Sequence, residues 1–85
     1  MLIKFLKKVE KPQGKTRAFF SVEWEGRLMI HDCRLVEGKN GLFIQFPFRT
    51  YQANGQTKYQ PVVVVENELL QKISELALHE YEETK

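Results

Sequence analysis

Turn signals recur along the front of the chain at intervals that leave only strand-length pieces between them, and this spacing restricts the fold more than any other feature. The signals are Pro12-Gln13-Gly14, Glu25-Gly26, Lys39-Asn40-Gly41 and Asn54-Gly55. Asn-Gly favours the type I′ turn, whose twist suits a two-stranded hairpin. The pieces between them read as strands over about Leu2–Val9, Ala18–Trp24, Leu28–Val36, Leu42–Phe46 and Gln56–Tyr59. In the second, Ala18, Phe20, Val22 and Trp24 fall on one face, with Phe19, Ser21 and Glu23 on the other. The third is apolar on both faces, as a covered central strand would be.

Pro61 interrupts the pattern, and Val62-Val63-Val64-Val65 follows. Four valines in a row call for burial, against the core or against a second subunit. From about Asn67 the period changes. Leu69, Leu70, Ile73, Leu76, Ala77 and Tyr81 recur at three and four, with Glu68, Lys72, Glu75, Glu82 and Glu83 on the other sides, which predicts an amphipathic helix capped by Asn67. The expected class is α+β: an antiparallel meander of about five strands with a C-terminal helix on one face. Its 85 residues suit a single domain over 1–85. A sheet this small leaves an edge and a face uncovered, so dimerisation through the sheet is expected.

Composition narrows the function. With 42% hydrophobic and 12% aromatic residues the chain is not of the disordered type. The lone Cys33 cannot form an internal disulfide, and no signal-peptide core or membrane-length apolar run stands out, so a cytoplasmic protein with no membrane contact is expected. Charge is unevenly placed: the first seventeen residues carry a net +5 and the last twenty a net −4. Such a basic front suits an anionic partner, unless the two ends attract each other.

Catalytic chemistry has little to build on. His31 and Asp32 are neighbours in a strand and point to opposite faces. His31 and Cys33 share a face, but a zinc site needs more ligands, and His79 lies in the helix. Asp32 and Arg34 share a face and read as a structural ion pair, with a ligand contact as the alternative. Gly38-Lys39-Asn40-Gly41 lacks the strand-to-helix setting of a phosphate loop. No cofactor, metal or catalytic residue is assigned.

The segment Phe46-Pro47-Phe48-Arg49-Thr50-Tyr51, with Lys58-Tyr59 returning across the Asn54-Gly55 turn, interleaves aromatics with cations on a projecting hairpin. Rings that stack on bases beside cations that neutralise phosphates suit a single-stranded nucleic acid. Cross-strand aromatic pairs that merely hold the hairpin are the alternative. Lys4, Lys7, Lys8, Lys11, Lys15 and Arg17 either extend that surface or form a solvated edge that blocks strand pairing.

Arg17-Ala18, Ile30-His31-Asp32-Cys33-Arg34-Leu35, Gly38-Lys39-Asn40-Gly41-Leu42-Phe43-Ile44, Pro47 and Leu78-His79-Glu80-Tyr81 form a recognisable pattern. Together they resemble the SpoVG family of bacterial septation and sporulation regulators. The resemblance runs from about Leu2 to Tyr81. It implies an antiparallel sheet with a C-terminal helical part, a homodimer, and a regulator that binds DNA or RNA. After Pro47 the family's basic stretch is reduced to Phe48-Arg49-Thr50. At the helix start a family Thr-Arg-x-Lys pattern is replaced by Leu69-Leu70-Gln71-Lys72, beside Glu66 and Glu68. The nucleic-acid contacts expected are therefore Arg49, Lys58, Lys72 and Lys39, with Phe48, Tyr51 and Tyr59 for stacking. The competing expectation is a protein-interaction module of the same fold.

Overall fold

The computed structural model describes residues 1–10 and 14–84. Pro12 and Gln13 of the first turn signal, and Lys11 of the basic front, lie outside the described residues. The elements run β1 (Leu2–Lys8), β2 (Thr16–Trp24), β3 (Leu28–Gly38), β4 (Gly41–Gln45), β5 (Phe48–Ala53), β6 (Gln56–Pro61) and α1 (Asn67–Glu83). The fold is α+β. The strands form two sheets, a four-stranded one in the order β1-β2-β3-β4 and a separate β5-β6 pair. The expected single meander of about five strands is thus six strands in two units. Pro47 has no N–H to offer a ladder, and beside it the chain leaves the first sheet and begins a hairpin of its own. A bond from the Val62 N–H to the Pro47 carbonyl (3.0 Å) closes the hairpin's base.

Two turns meet the expectation for glycine-containing hairpins. Asn54 and Gly55 have φ of 53° and 76°, and Glu25 and Gly26 have 52° and 68°, so both central residues are left-handed as a type I′ turn requires. The β3–β4 turn differs: Gly38 faces Gly41, and the positive φ of 114° falls on Gly41, after the Lys39-Asn40 corner.

The core lies between the four-stranded sheet and α1. Ala18, Phe20 and Val22 of β2, Cys33 and Leu35 of β3, and Ile73 and Ala77 of α1 are buried together. Leu69, Leu78 and Tyr81 pack around them from the helix. Trp24, which shares the core parity, remains 37% exposed at the sheet's end. Asn67 is the first helical residue and not the cap; Glu66 occupies that position without a side-chain bond to the helix. Among the valines, Val65 packs against the core, whereas Val62 and Val64 are 61% and 85% exposed.

Three register shifts interrupt the sheet, one between β1 and β2 and two between β2 and β3, and two of them bear on the site. Lys4 pairs with Ser21 and Lys7 with Phe19, which leaves an extra residue in β1 at the left-handed Phe5 (φ 57°). Phe20 pairs with Cys33 and Val22 with Ile30, so His31 and Asp32 together face Ser21, with Asp32 left-handed (φ 62°). The second bulge resets the alternation of β3. Cys33 goes into the core, while exposed His31 meets the Ser21 hydroxyl on the outer face (Nδ1 to Oγ 2.7 Å). The expected shared face for His31 and Cys33 is therefore wrong, because one inserted residue shifts the strand's parity. Nor is β3 covered on both sides: His31, Asp32 and Glu37 are exposed.

Candidate nucleic-acid interface

Strand register decides which side chains of the β5–β6 hairpin can act together. Arg49 faces Gln60, Tyr51 faces Lys58, Thr50 faces Tyr59 and Phe48 faces Pro61. With alternating side chains, Arg49, Tyr51 and Lys58 share one face and Phe48, Thr50 and Tyr59 the other. The cationic face is organised. Arg49 donates from Nε (2.9 Å) and Nη2 (2.6 Å) to the Gln60 carbonyl oxygen Oε1, which fixes the guanidinium plane and leaves its remaining donors free of that contact. Tyr51 is 45% exposed beside these cations. On the opposite face the rings of Phe48 and Tyr59 meet edge to face, with centroids 5.5 Å apart. There the hairpin-holding pair is realised, although Tyr59 keeps 70% of its surface exposed.

The remaining expected contacts stand elsewhere. Lys39 sits in the β3–β4 turn. Lys72 lies on the exposed side of α1, lining a shallow cleft with Glu68, Gln71 and Glu75. The basic residues of the first two strands are partly engaged within the molecule. Lys4 pairs with Glu23 at 3.4 Å, Arg17 pairs with Glu37 and donates to the Gly14 carbonyl (2.6 Å), and the Lys8 ammonium lies 4.3 Å from the centre of the Tyr81 ring. The last contact joins the basic front to the acidic helix, which packs on β1.

Sequence reasoning paired Asp32 with Arg34. Among the described residues the ion pairs are Lys4–Glu23 and Arg17–Glu37, so that expectation fails. The bulge turns Asp32 out of register, and the Arg34 guanidinium lies over the Phe19 ring, 5.3 Å from its centre. Asp32 and Arg34 instead line a cavity of about 460 Å³ with Phe46, Phe48 and Arg49, where β3 meets the base of the hairpin. The available signal is the polar run His31-Asp32 with Arg34 in the middle of a strand that is apolar on either side of it. Beside them, burial and then the Asp32 charge push the Cys33 thiol up to about 11. No helix of the described residues is long and apolar enough to cross a membrane.

Comparison with known proteins adds the lineage. The SpoVG family model matches residues 3–83. A Clostridium perfringens protein named "Putative septation protein SpoVG" is 36% identical over 73 residues, covering 86% of this chain and 79% of that protein. A namesake from Clostridium novyi is 37% identical over 73 residues, covering 86% and 71%. Another from Alkaliphilus oremlandii is 30% identical over 80 residues, covering 80% and 86%. The agreement of the family model with relatives spanning most of both sequences establishes that the chain belongs to the SpoVG family.

Proposed function

We propose that this chain is a dimeric, non-enzymatic cytoplasmic regulator that binds DNA or RNA through its β5–β6 hairpin, in a role related to septation. The observation that carries the reading is the single exposed face shared by Arg49, Tyr51 and Lys58. Cations there neutralise phosphates, and the tyrosine ring offers a base a stacking platform. The pinning of Arg49 by Gln60 lowers the ordering cost of a phosphate contact. Lys39 adds long-range attraction from its own turn. Lys72 contributes less, because Glu68 and Glu75 share its surface.

The test is binding of single- and double-stranded probes at about 50 and about 200 mM salt, for the native chain and the Arg49→Glu/Lys58→Glu double variant. Affinity should fall steeply with salt in the native protein. Each lost phosphate contact should reduce the log–log slope by about 0.7 on a single strand and about 0.9 on duplex DNA. Unchanged affinity in the double variant removes the hairpin from the account.

The second reading is a protein-interaction module. It is favoured by the exposed apolar group of Trp24, Leu28 and Val64 and by the acidic surface of α1. Partners that persist in a pull-down after nuclease treatment, together with a native chain that binds neither probe, would favour it.

A further inference from the structure

We propose that the cavity between β3 and the hairpin is a subsite for one unpaired guanine, with Asp32 reading the base and Arg34 and Arg49 holding its flanking phosphates. This rests on the nucleic-acid reading and assigns that surface a base preference.

The cavity is of ligand size, about 460 Å³, within the range of small-molecule sites. Asp32 and Arg34 of β3, Phe46 and Pro47 of the connection, and Phe48 and Arg49 of β5 line it. Its formal charge is two positive and one negative, which suits a nucleotide. The carboxylate is the informative member. In a cavity that served phosphates alone, a carboxylate in the same wall as two arginines would repel the ligand. Internal neutralisation is not its role either, since Asp32 is outside the ion pairs found among the described residues. Both arginines have other anchors: Arg34 on the Phe19 ring and Arg49 on Gln60.

An ionised carboxylate only accepts hydrogen bonds, and it accepts best from two donors side by side. Guanine's Watson–Crick edge has such a pair, N1–H and the N2 amino group. Adenine and cytosine offer there one exocyclic donor beside an acceptor, and thymine or uracil one N–H between two carbonyls. That edge is free only in an unpaired base, the usual target of sequence-specific single-strand recognition. Phe46 and Phe48 add apolar surface to the cavity wall, with the Phe48 ring itself braced on Tyr59. The backbone adds a second indication. Asp32 is held left-handed (φ 62°) in a bulge that re-aims its side chain.

The test uses the full chain and short oligothymidylates that differ at one central position: guanine, inosine or adenine. Inosine removes only the N2 amino group, one of the two donors. The native protein should bind the guanine strand about tenfold more tightly than the inosine strand, matching loss of one hydrogen bond to a charged group. Asp32→Asn, which keeps size and tolerates a left-handed backbone, should bring the two strands to equal affinity while retaining the salt dependence. Equal binding of guanine and inosine strands by the native protein overturns the guanine subsite and leaves the hairpin reading standing. A preference that survives in Asp32→Asn also overturns it. Failure of the native chain to bind any strand at low salt overturns both. The native-protein comparison needs no variant, so misfolding of Asp32→Asn cannot mask the outcome.

Discussion

Asp32 and Cys33 adjoin at the β3 bulge, one exposed at the cavity's lip and the other completely buried with its sulfur 3.7 Å from the Ile30 carbonyl. Burial first, and the Asp32 charge second, raise the Cys33 thiol from its ordinary 9.0 to about 11. Below pH 9 the thiol holds its proton in both folded and unfolded chains, and its contribution to stability is intact. Between about pH 9 and 11 the unfolded chain releases the proton while the folded chain keeps it, so stability falls as pH rises. At about 1.36 kcal/mol per unit the full loss is roughly 2–3 kcal/mol. Cys33→Ala should be less stable at neutral pH through lost packing, yet lack this alkaline component. Thermal melts of the two proteins should differ by a constant amount up to about pH 9 and converge above it; parallel curves throughout would rule out the thiol as the titrating group. The sequence showed a lone cysteine with no partner for an internal disulfide, but not its face. Alternation assigned Cys33 to the side of His31, and only the inserted residue at Asp32 reverses that. Nothing in the run His31-Asp32-Cys33 marks a bulge, because the residue types of a bulged strand are those of a regular one.

The β5–β6 hairpin touches the rest of the fold through its base, and every residue of β6 is exposed. A two-stranded hairpin has little stability alone. Its register therefore depends on its own turn, the Arg49–Gln60 and Gln52–Thr57 side-chain bonds and the Phe48–Tyr59 ring pair. Gly55 has φ of 76° with open space around it, so an added Cβ meets backbone strain and no steric clash. Gly55→Ala should cost about 1–2 kcal/mol locally. Because the core between α1 and the main sheet does not include the hairpin, global melting should move by little. Amide exchange in β5 and β6 should accelerate severalfold while that in β2 and β3 stays unchanged. Uniform acceleration across all strands would mean that the hairpin and the core unfold as one unit. The sequence marked this element well: Asn54-Gly55 fixed the turn, and the interleaved aromatics and cations marked its strands. It did not reveal that Pro47 separates the hairpin from the main sheet. Nor was it plain that register divides the ring pair from the cations, since composition is blind to which residues lie across from each other.

The molecule as a whole has more surface than its mass calls for. Its accessible area is 6741 Å², against about 5,200 Å² for a compact monomer of this mass. Its radius of gyration is 13.8 Å, against about 12 Å for a compact chain of this length. The excess, about 1,500 Å² on one chain, is larger than the roughly 800 Å² that each partner contributes to a standard interface, so it leaves room for one beside the projecting hairpin. Three of the exposed apolar residues, Trp24, Leu28 and Val64, gather at one end. Trp24, Leu28, Val64 and Val65 line a cavity of about 300 Å³ that continues into the core at Val22 and Ile73. A second copy that covers this end would bury the exposed Val64 and relieve an aggregation hazard. Light scattering at micromolar concentration should then give twice the 10.0 kDa chain mass. Val64→Asp, at a position 85% exposed in the isolated chain, should leave the fold intact and shift the mass toward the monomer. If the native chain scatters as a monomer, the apolar end stays open in solution and self-association plays no part in the function. If instead the native chain is a dimer that Val64→Asp leaves intact, the pairing runs through another surface, and the unpaired edges of β1 and β4 become the next place to substitute.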